Sequence, residues 1–397
     1  MALIPSTPAD KKLLLDGGHQ RFVFPVDEIL EIDKLTFGMT IPVMLTITKE
    51  ALRCGSYEET EQMLIEKTHI RVNDDTIRKV TDTIGEMVFK NDLKRADEDW
   101  ERLMHAQIDF PNIKKPNVLY LEVDGAMLPT REKDEHGSIW RENKLGMAFS
   151  DDNFFYWVDK HGKRQHRIIK REFINYIGDC NEFKKFMFSL ALRNGYGHYK
   201  ETVLISDGAT WIRNMKEELF PDAQQILDFY HLCENVSTCA KDVFLLDEGK
   251  YKPWAKKICD LFKASKYQAA LANIDKLYNN RNKKAINRLK TYINNNINHI
   301  DYANYIKKGY FIGSGAVESA NRYVPQGRLK LPGMRWQVKN GQYVLSLMAK
   351  YKSALWEQEV VEPIYDLYGV KRSAPNISKI YQYYQDKRQE NNIKSIN

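Results

Sequence analysis

The sequence predicts a mixed α/β fold, and three observations carry that prediction. Three short apolar runs, VLYLEV (118–123), TVLIS (202–206) and QQILDF (224–229), have the length and continuity of buried strands. After Pro111 the strand candidates come first as a meander and then alternate with helices, which implies a mixed sheet covered on both faces. From His231 to about Lys308 the pattern is helical throughout, rich in Lys, Asn and Tyr, with no strand candidate.

Taken in order, residues 1–45 are weakly patterned, and VFPVDEILEI reads as a short strand or turn leading into a helix. From about 40 to 105 the chain reads as helical. SYEETEQMLIEKTHI offers Ser56 as N-cap with Glu59 three residues on, a capping box, and Met63 and Leu64 supply part of its apolar face. After a break at His69–Val72, Asn73 or Asp74 can cap DDTIRKVTDTIGEMVF, where Ile77, Val80, Ile84 and Val88 recur at helical spacing. Two helices joined this way match a helix-turn-helix outline, and equally a plain helical hairpin. Beyond VLYLEV, the stretches SIWRENKLGMAFS (138–150) and NFFYWV (153–158) read as further strands, and Lys170 to Leu192 as a helix. A helix through WIRNMKEELF follows TVLIS, and NGQYVLSLMAKYKSALWEQ forms a late helix before a polar, basic tail.

Composition sets outer bounds. Of 397 residues, 43% are hydrophobic and 28% charged, which is ordinary for a water-soluble protein with ample core. No run of about 18 apolar residues exists, so no membrane-spanning helix is expected, and the opening segment is too short in apolar residues for a signal peptide. The five cysteines (Cys54, Cys180, Cys233, Cys239 and Cys259) are an odd number and form no CxxC pair, so neither a disulfide framework nor a zinc ribbon is indicated, and a reducing cytosol fits. A net charge of +7 permits a nucleic-acid partner without demanding one.

The chemistry sits in three carboxylates. Asp124 and Asp207 each end an apolar strand and each precedes a glycine, and functional groups collect at the carboxyl ends of strands in such sheets. Glu318 follows Gly313-Ser314-Gly315 at a helix start and heads a basic run of Arg322, Arg328, Lys330, Arg335 and Lys339, with Trp336 inside it. Three acids at one place repel one another and call for hard divalent cations, Mg²⁺ or Mn²⁺; two such ions support phosphoryl transfer. A strand-end Asp-Gly is also an ordinary turn.

The segments LEVDGAML (121–128), RENKLGMAF (141–149), ISDGATWIRNMKEELFPDAQQILDFYHLCENV (205–236) and IGSGAVESANRYVPQGRLKLPGMRW (312–336) together resemble the DDE-type transposases of bacterial insertion sequences, a branch related in layout to the Mutator-like transposases. The resemblance spans roughly residues 50 to 357. It implies an RNase H-like mixed sheet flanked by helices, with an all-helical insertion and an N-terminal helix-turn-helix-like region. The implied domains are 1–110 for that region, 111–236 and 309–360 for the two parts of the catalytic domain, 237–308 for the insertion and 361–397 for the tail. Relatives of this kind often carry a longer basic region ahead of the helix pair, where about 50 residues stand here.

What the resemblance implies for function is cleavage of element ends and joining of the 3′-hydroxyl to target DNA, with two Mg²⁺ or Mn²⁺ ions. The implied triad is Asp124, Asp207 and Glu318, separated by 83 and 111 residues. Asp228, His231 and Asn235 match its DxxH segment as outer metal contacts or contacts to the DNA end; Asp228 as an N-cap beside a packed histidine is the plain alternative. Arg322, Arg328, Lys330, Arg335 and Lys339 are candidate phosphate contacts, Trp336 is a candidate for base stacking or for the core, and Arg78 and Lys79 lie on the candidate recognition helix. Lys144 and Trp254 are weaker candidates, and Trp211 is expected to pack its helix on the sheet. The implied partners are terminal inverted repeats, target DNA and a second copy of the chain, in a bacterial cytoplasm at the nucleoid. Two other readings stay open: a catalytically inactive, transposase-derived DNA-binding regulator, and an RNase H-fold nuclease outside transposition.

Overall fold

The computed structural model describes residues 12–16, 19–23 and 37–370 other than Lys163 and Asn280, together with Gln382 and Asp386. Most of VFPVDEILEI, and the expected basic tail beyond position 370 save those two residues, lie outside the described residues. The chain divides into two compact units, Met1–Phe89 with Leu355–Asn397, and Lys90–Ala354. Among the described residues no helix is long and apolar enough to cross a membrane.

In the first unit, β1 (Lys12–Asp16) and β2 (His19–Val23) pair antiparallel. Helices α1 (Ile41–Ala51) and α2 (Tyr57–Thr68) follow. The cap at Ser56 forms: Glu59 N donates to Ser56 Oγ at 2.9 Å, satisfying an amide that the helix start leaves orphaned, and Glu59 Oε2 reaches back to accept from Gly55 N, one residue ahead of the N-cap, at 2.7 Å. Helix α3 (Asp74–Met104) starts beside Asn73, whose Oδ1 accepts from Thr76 N at 2.8 Å, and it buries Ile77, Val80, Ile84 and Val88 as their spacing predicts. It continues well past the predicted end at Phe89.

The second unit is built on one five-stranded sheet, flanked by helices. Its strands are β3 (Lys115–Pro129), β4 (Trp140–Ser150), β7 (Glu172–Ile177), β8 (Tyr199–Ser206) and β9 (Gln224–Leu227), in the spatial order β7-β4-β3-β8-β9. β4 pairs antiparallel with β3 and β7, while β8 pairs parallel with β3 and β9. This mixed order is compatible with an RNase H-like layout. NFFYWV forms β5 (Phe154–Val158), but it stands apart from the main sheet, in a hairpin with β6 (Arg164–Ile168) that the sequence reading did not include.

The expectation of a helix from Lys170 to Leu192 is corrected. EFINYI is strand β7, and the helix α4 (Cys180–Arg193) begins only after Asp179, whose Oδ1 caps Asn181 N at 2.7 Å and Glu182 N at 3.1 Å. β-branched and aromatic residues fill the segment, and both its faces are used. Ile174 lies beside Gly146 and Tyr176 stacks on Phe186 of α4 at 5.1 Å, while Phe173 meets Tyr323 at 6.3 Å. The outer edge of β7 is closed by helix α12, defined below.

The helices after β8 include α5 (Thr210–Leu219), α6 (Phe229–Phe244), α7 (Glu248–Lys263), α8 (Tyr267–Asp275), α9 (Lys283–Asn295), α10 (Tyr302–Lys307), α11 (Gly315–Asn321) and α12 (Val338–Lys352). Gln342 of α12 accepts from Ile177 N at 2.8 Å and donates to Asn175 O at 3.0 Å, so a side chain completes the edge strand's ladder. From Lys90 onward α3 belongs to this second unit, and within it α12 is tied to that part of α3 by a buried ion pair, Lys350 Nζ to Asp92 Oδ1 at 2.6 Å. A Cβ at Gly146 would come within 2.6 Å of Met187 Sδ, so the sheet face carrying Val123 and Gly146 packs tightly under α4. The opposite face, carrying Tyr120, Glu122 and Asp124, lies under α11 and the chain leading to it.

Candidate active site

The last residue pair between β3 and β8 is Val123 with Ser206, so Asp124 and Asp207 leave neighbouring parallel strands side by side. Asp124 stays in β3, opposite Leu145 of β4, and is half-buried. Its carboxylate accepts from its neighbour Gly125 N at 2.8 Å and from the side-chain amide of Asn321. Burial pushes the Asp124 carboxyl above the ordinary range and the charge of Asp207 adds to that, while the two hydrogen bonds and the nearby His231 oppose it. Asp207 makes a tight turn: its Oδ1 accepts from Ala209 N at 2.9 Å, and its carbonyl accepts from the Tyr292 hydroxyl of α9 at 3.0 Å. Gly208, at φ +87°, is required there, because a Cβ would lie 2.7 Å from Asn296 Oδ1.

Glu122 lies two residues before Asp124 on the same face of β3 and is fully enclosed. Its Oε2 accepts from Val317 N of α11 at 2.9 Å. Burial, reinforced by the charges of Asp228 and Asp124, pushes its carboxyl up to about 8, so it holds its proton at neutral pH.

Asp228 begins α6 just past β9. It is buried, its Oδ1 caps Tyr230 N at 2.7 Å, and its other oxygen accepts from the Ser314 hydroxyl. Its own N–H donates to Ser206 O at 2.8 Å, and Phe229 N donates to Ile312 O at 2.8 Å, which stitches the 312–314 turn to the strand ends. His231 Nε2 stands 3.8 Å from Asp228 Oδ2 and its Nδ1 3.4 Å from Glu234 Oε2. Asn235 turns back to donate to the carbonyl of His231 at 2.9 Å. Asp228 is therefore the N-cap of the plain reading and at the same time sits beside His231.

Glu318 lies on α11, one residue from Val317, but its carboxylate accepts from Arg322 Nη2 at 2.8 Å. Among the described residues no group of three or more His, Cys, Asp and Glu side chains is arranged to hold a metal ion. Asp124 and Asp207, at the ends of neighbouring strands, are carboxylates of the type that suits a hard cation, and Asp124 is raised chiefly by burial with a contribution from the charge of Asp207.

The basic run divides by environment. Arg322, Lys330, Arg335 and Lys339 are exposed. Arg328 is 2% exposed, its guanidinium 5.0 Å over the ring of Trp336, so it does not present a phosphate-binding surface. The half-buried Trp336 joins the end of β3: its N–H donates to Pro129 O at 3.3 Å and its carbonyl accepts from Arg131 N at 2.8 Å. Lys330 lies 5.8 Å over the Trp140 ring and Lys339 5.6 Å over Tyr343. In the first unit, Arg78 pairs with Asp75 and Asp82 and Lys79 pairs with Asp75, within their own helix. Lys144 is buried and donates to Gly178 O at 2.6 Å, Trp211 packs edge-on to Phe183 at 5.8 Å, and Trp254 packs on Phe244 at 6.0 Å.

Three polar residues of this region escape the sequence reading: Glu122, Ser314 and Asn321. Glu122 carried a signal, being an acid inside an apolar strand on the face of Asp124. Ser314 and Asn321 carried little beyond being short polar residues close to Glu318.

Two known proteins give measured comparisons. The Drosophila P element transposase strand transfer complex is similar at 13% identity, with 86% of this chain and 82% of that chain covered, at a TM-score of 0.23. The UPF0236 protein in vanSb 3′region of Streptococcus gallolyticus is 24% identical over 292 residues. That match takes in 71% of this chain and 57% of the relative, so the chain spans a little over half of the relative's length. The model of the uncharacterised protein family UPF0236 matches residues 11–361, nearly the whole chain, and the protein belongs to that family.

Proposed function

We propose that the protein is a metal-dependent DNA-cleaving and strand-transferring enzyme, a transposase, with Asp124, Asp207 and Glu318 as its carboxylates. The observation that carries the reading is the pair Asp124–Asp207 at the carboxyl ends of adjacent parallel strands, with the Asp124 carboxyl raised by burial and by its neighbour's charge. Two carboxylates at neighbouring strand ends, one of them partly desolvated, gain from a cation. Sequence resemblance supplies the class of substrate, terminal repeats and target DNA.

In this reading Asp124 and Asp207 would hold a divalent ion, Mg²⁺ or Mn²⁺, which when bound would supply Lewis-acid stabilisation of phosphate oxygens and an acidified water. Asn321 and the Gly125 N–H favour the ionised form of Asp124 and aim it. Neutral Glu122 fixes the start of α11, and hence the helix that carries Glu318, without adding a third negative charge beside the aspartates. Glu318, which pairs with Arg322 in this structure, would be the third carboxylate to hold the ion, and Arg322 would then be available to a DNA phosphate. His231, held beside Asp228, offers an N–H to the DNA end. A second copy of the chain pairs the second DNA end.

The test is Mn²⁺-dependent nicking of a DNA bearing the sequences that flank the gene. Asp124→Asn, Asp207→Asn and Glu318→Gln should each lower cleavage by at least about a thousandfold, roughly 4 kcal/mol of transition-state stabilisation, while DNA binding is kept. The wild-type melting temperature should rise on adding Mn²⁺ and that of Asp124→Asn should not. Wild-type cleavage by Asp124→Asn or Asp207→Asn would sink the assignment.

A further inference from the structure

The β5–β6 hairpin, which plays no part in the carboxylate site, is an exposed aromatic and basic ribbon. We propose that it is a stacking platform for unpaired bases of a DNA strand. It rests on the function proposed above only in naming DNA as the polymer.

The alternation of the strand separates two faces. On one, Phe154 roots the hairpin: its ring meets Phe149 at 5.9 Å and Phe311 at 5.2 Å. Phe311 in turn packs on Tyr120 of β3 and precedes the Ile312–Ser314 turn that is stitched to the strand ends. The other face carries Phe155 and Trp157, directly opposite Arg167 and Gln165. Phe155 is 58% exposed and Trp157 42%, and their rings lie 6.2 Å apart, tilted by only 25°. The two rings stack on each other nearly parallel and still keep about half of their surface exposed, where a core would have covered it.

Charge selects the occupant. Residues 159–171 contain six Lys or Arg against a single acid, Asp159. Of these, Lys160, Arg167 and Lys170 are exposed, and the register puts Arg167 across from Phe155. Interleaved cations and open aromatic faces suit a polyanion whose bases can stack, and single strands meet that description because stacking needs bases free of a duplex. An acidic protein surface would meet the cations but not use the exposed aromatic rings, so cations and rings together favour a nucleic-acid strand.

The experiment uses the full chain with a fluorescent 20-residue oligo-dT, a blunt duplex of equal length, and vesicles containing phosphatidylserine. Phe155→Ala/Trp157→Ala should weaken oligo-dT binding by about tenfold or more and blunt-duplex binding by less than threefold. Trp157→Phe should keep the affinity but lose most of the tryptophan quenching seen on adding oligo-dT. Arg167→Gln/Lys170→Gln should weaken binding and flatten its salt dependence. Wild-type oligo-dT affinity in the double aromatic variant, or an equal loss on duplex, overturns the platform. So does a loss confined to vesicle binding, or a change only in self-association. Nicking separates the two proposals: an active enzyme whose aromatic variant binds oligo-dT normally refutes the platform alone. A chain that binds oligo-dT through the hairpin yet never cleaves refutes the enzyme alone.

Discussion

Asn321 donates its side-chain amide to the carboxylate of Asp124, across 197 residues of sequence. Asn321 is buried on the last turn of α11, and the helix start is fixed to the same strand by Val317 N donating to Glu122. Together with Phe311 on Tyr120, these contacts run along one face of β3 in step with its alternation: Tyr120, Glu122, Asp124. The segment carrying Glu318 is thus registered to β3 at three points.

The first of these consequences concerns acidity. A hydrogen bond to the ionised form of a carboxylate favours that form, by about 1.5–3 kcal/mol for a charged acceptor. Asn321→Ala removes it, so Asp124, already raised by burial and by Asp207, rises further. If cleavage needs ionised Asp124, the acid limb of the pH–rate profile should move up by about one to two pH units, at about 1.4 kcal/mol per unit. The maximal rate at high pH should change less than the limb does. An acid limb that stays in place would show that Asn321 serves only packing.

Glu122 makes a prediction about stability. Its folded-state carboxyl titrates at about 8, against an ordinary 4.5. A group raised in the folded state gives stability that is full below its unfolded value and is lost as pH rises through its folded value. The wild type should therefore lose stability between about pH 4.5 and 8, as the unfolded chain sheds a proton that the folded chain keeps. Glu122→Gln keeps an acceptor for Val317 N and cannot ionise. Its melting temperature should match the wild type near pH 4.5, exceed it by several degrees at pH 8.5, and vary less in between. Parallel melting curves for the two proteins across this range would contradict a buried, protonated Glu122.

How much of this was legible from sequence depends on the range of the signal. The strand-end pairs Asp124-Gly125 and Asp207-Gly208 are local, because the apolar run and the turn that ends it lie within a few residues, whereas the parallel pairing that sets β3 beside β8 is a long-range fact only the structure supplies. The capping boundary at Ser56 is local in the same way. β7 is not: six residues hold too few periods to distinguish a strand from a helix start, and only the tertiary partners, Leu145 on one side and Gln342 at the edge, decide it. Arg328 read as one more cation in a basic run. Its burial depends on Trp336 returning to the end of β3, a contact no local pattern carries. Ser314 and Asn321 are polar residues whose importance lies in which carboxylates they meet, and those carboxylates are 86 and 197 residues away.

The turn after Asp207 tests how the helices beyond α6 support the site. Gly208 has φ +87°, and a Cβ there would fall 2.7 Å from Asn296 Oδ1 and 2.8 Å from Leu227 Cδ1. Gly208→Ala therefore carries both a backbone cost and a steric one, together on the order of 1–3 kcal/mol. The clash displaces either Asn296, at the end of α9, or the turn that Tyr292 of the same helix holds through the carbonyl of Asp207. Gly208→Ala should lower the urea midpoint and, in the nicking assay, weaken cleavage and raise the Mn²⁺ concentration it needs. Asn296→Ala opens the space, so the double variant should recover the steric share of the stability loss but not the part set by φ, a coupling that a double-mutant cycle measures directly. Strict additivity of the two single changes would mean that Asn296 does not press on the turn.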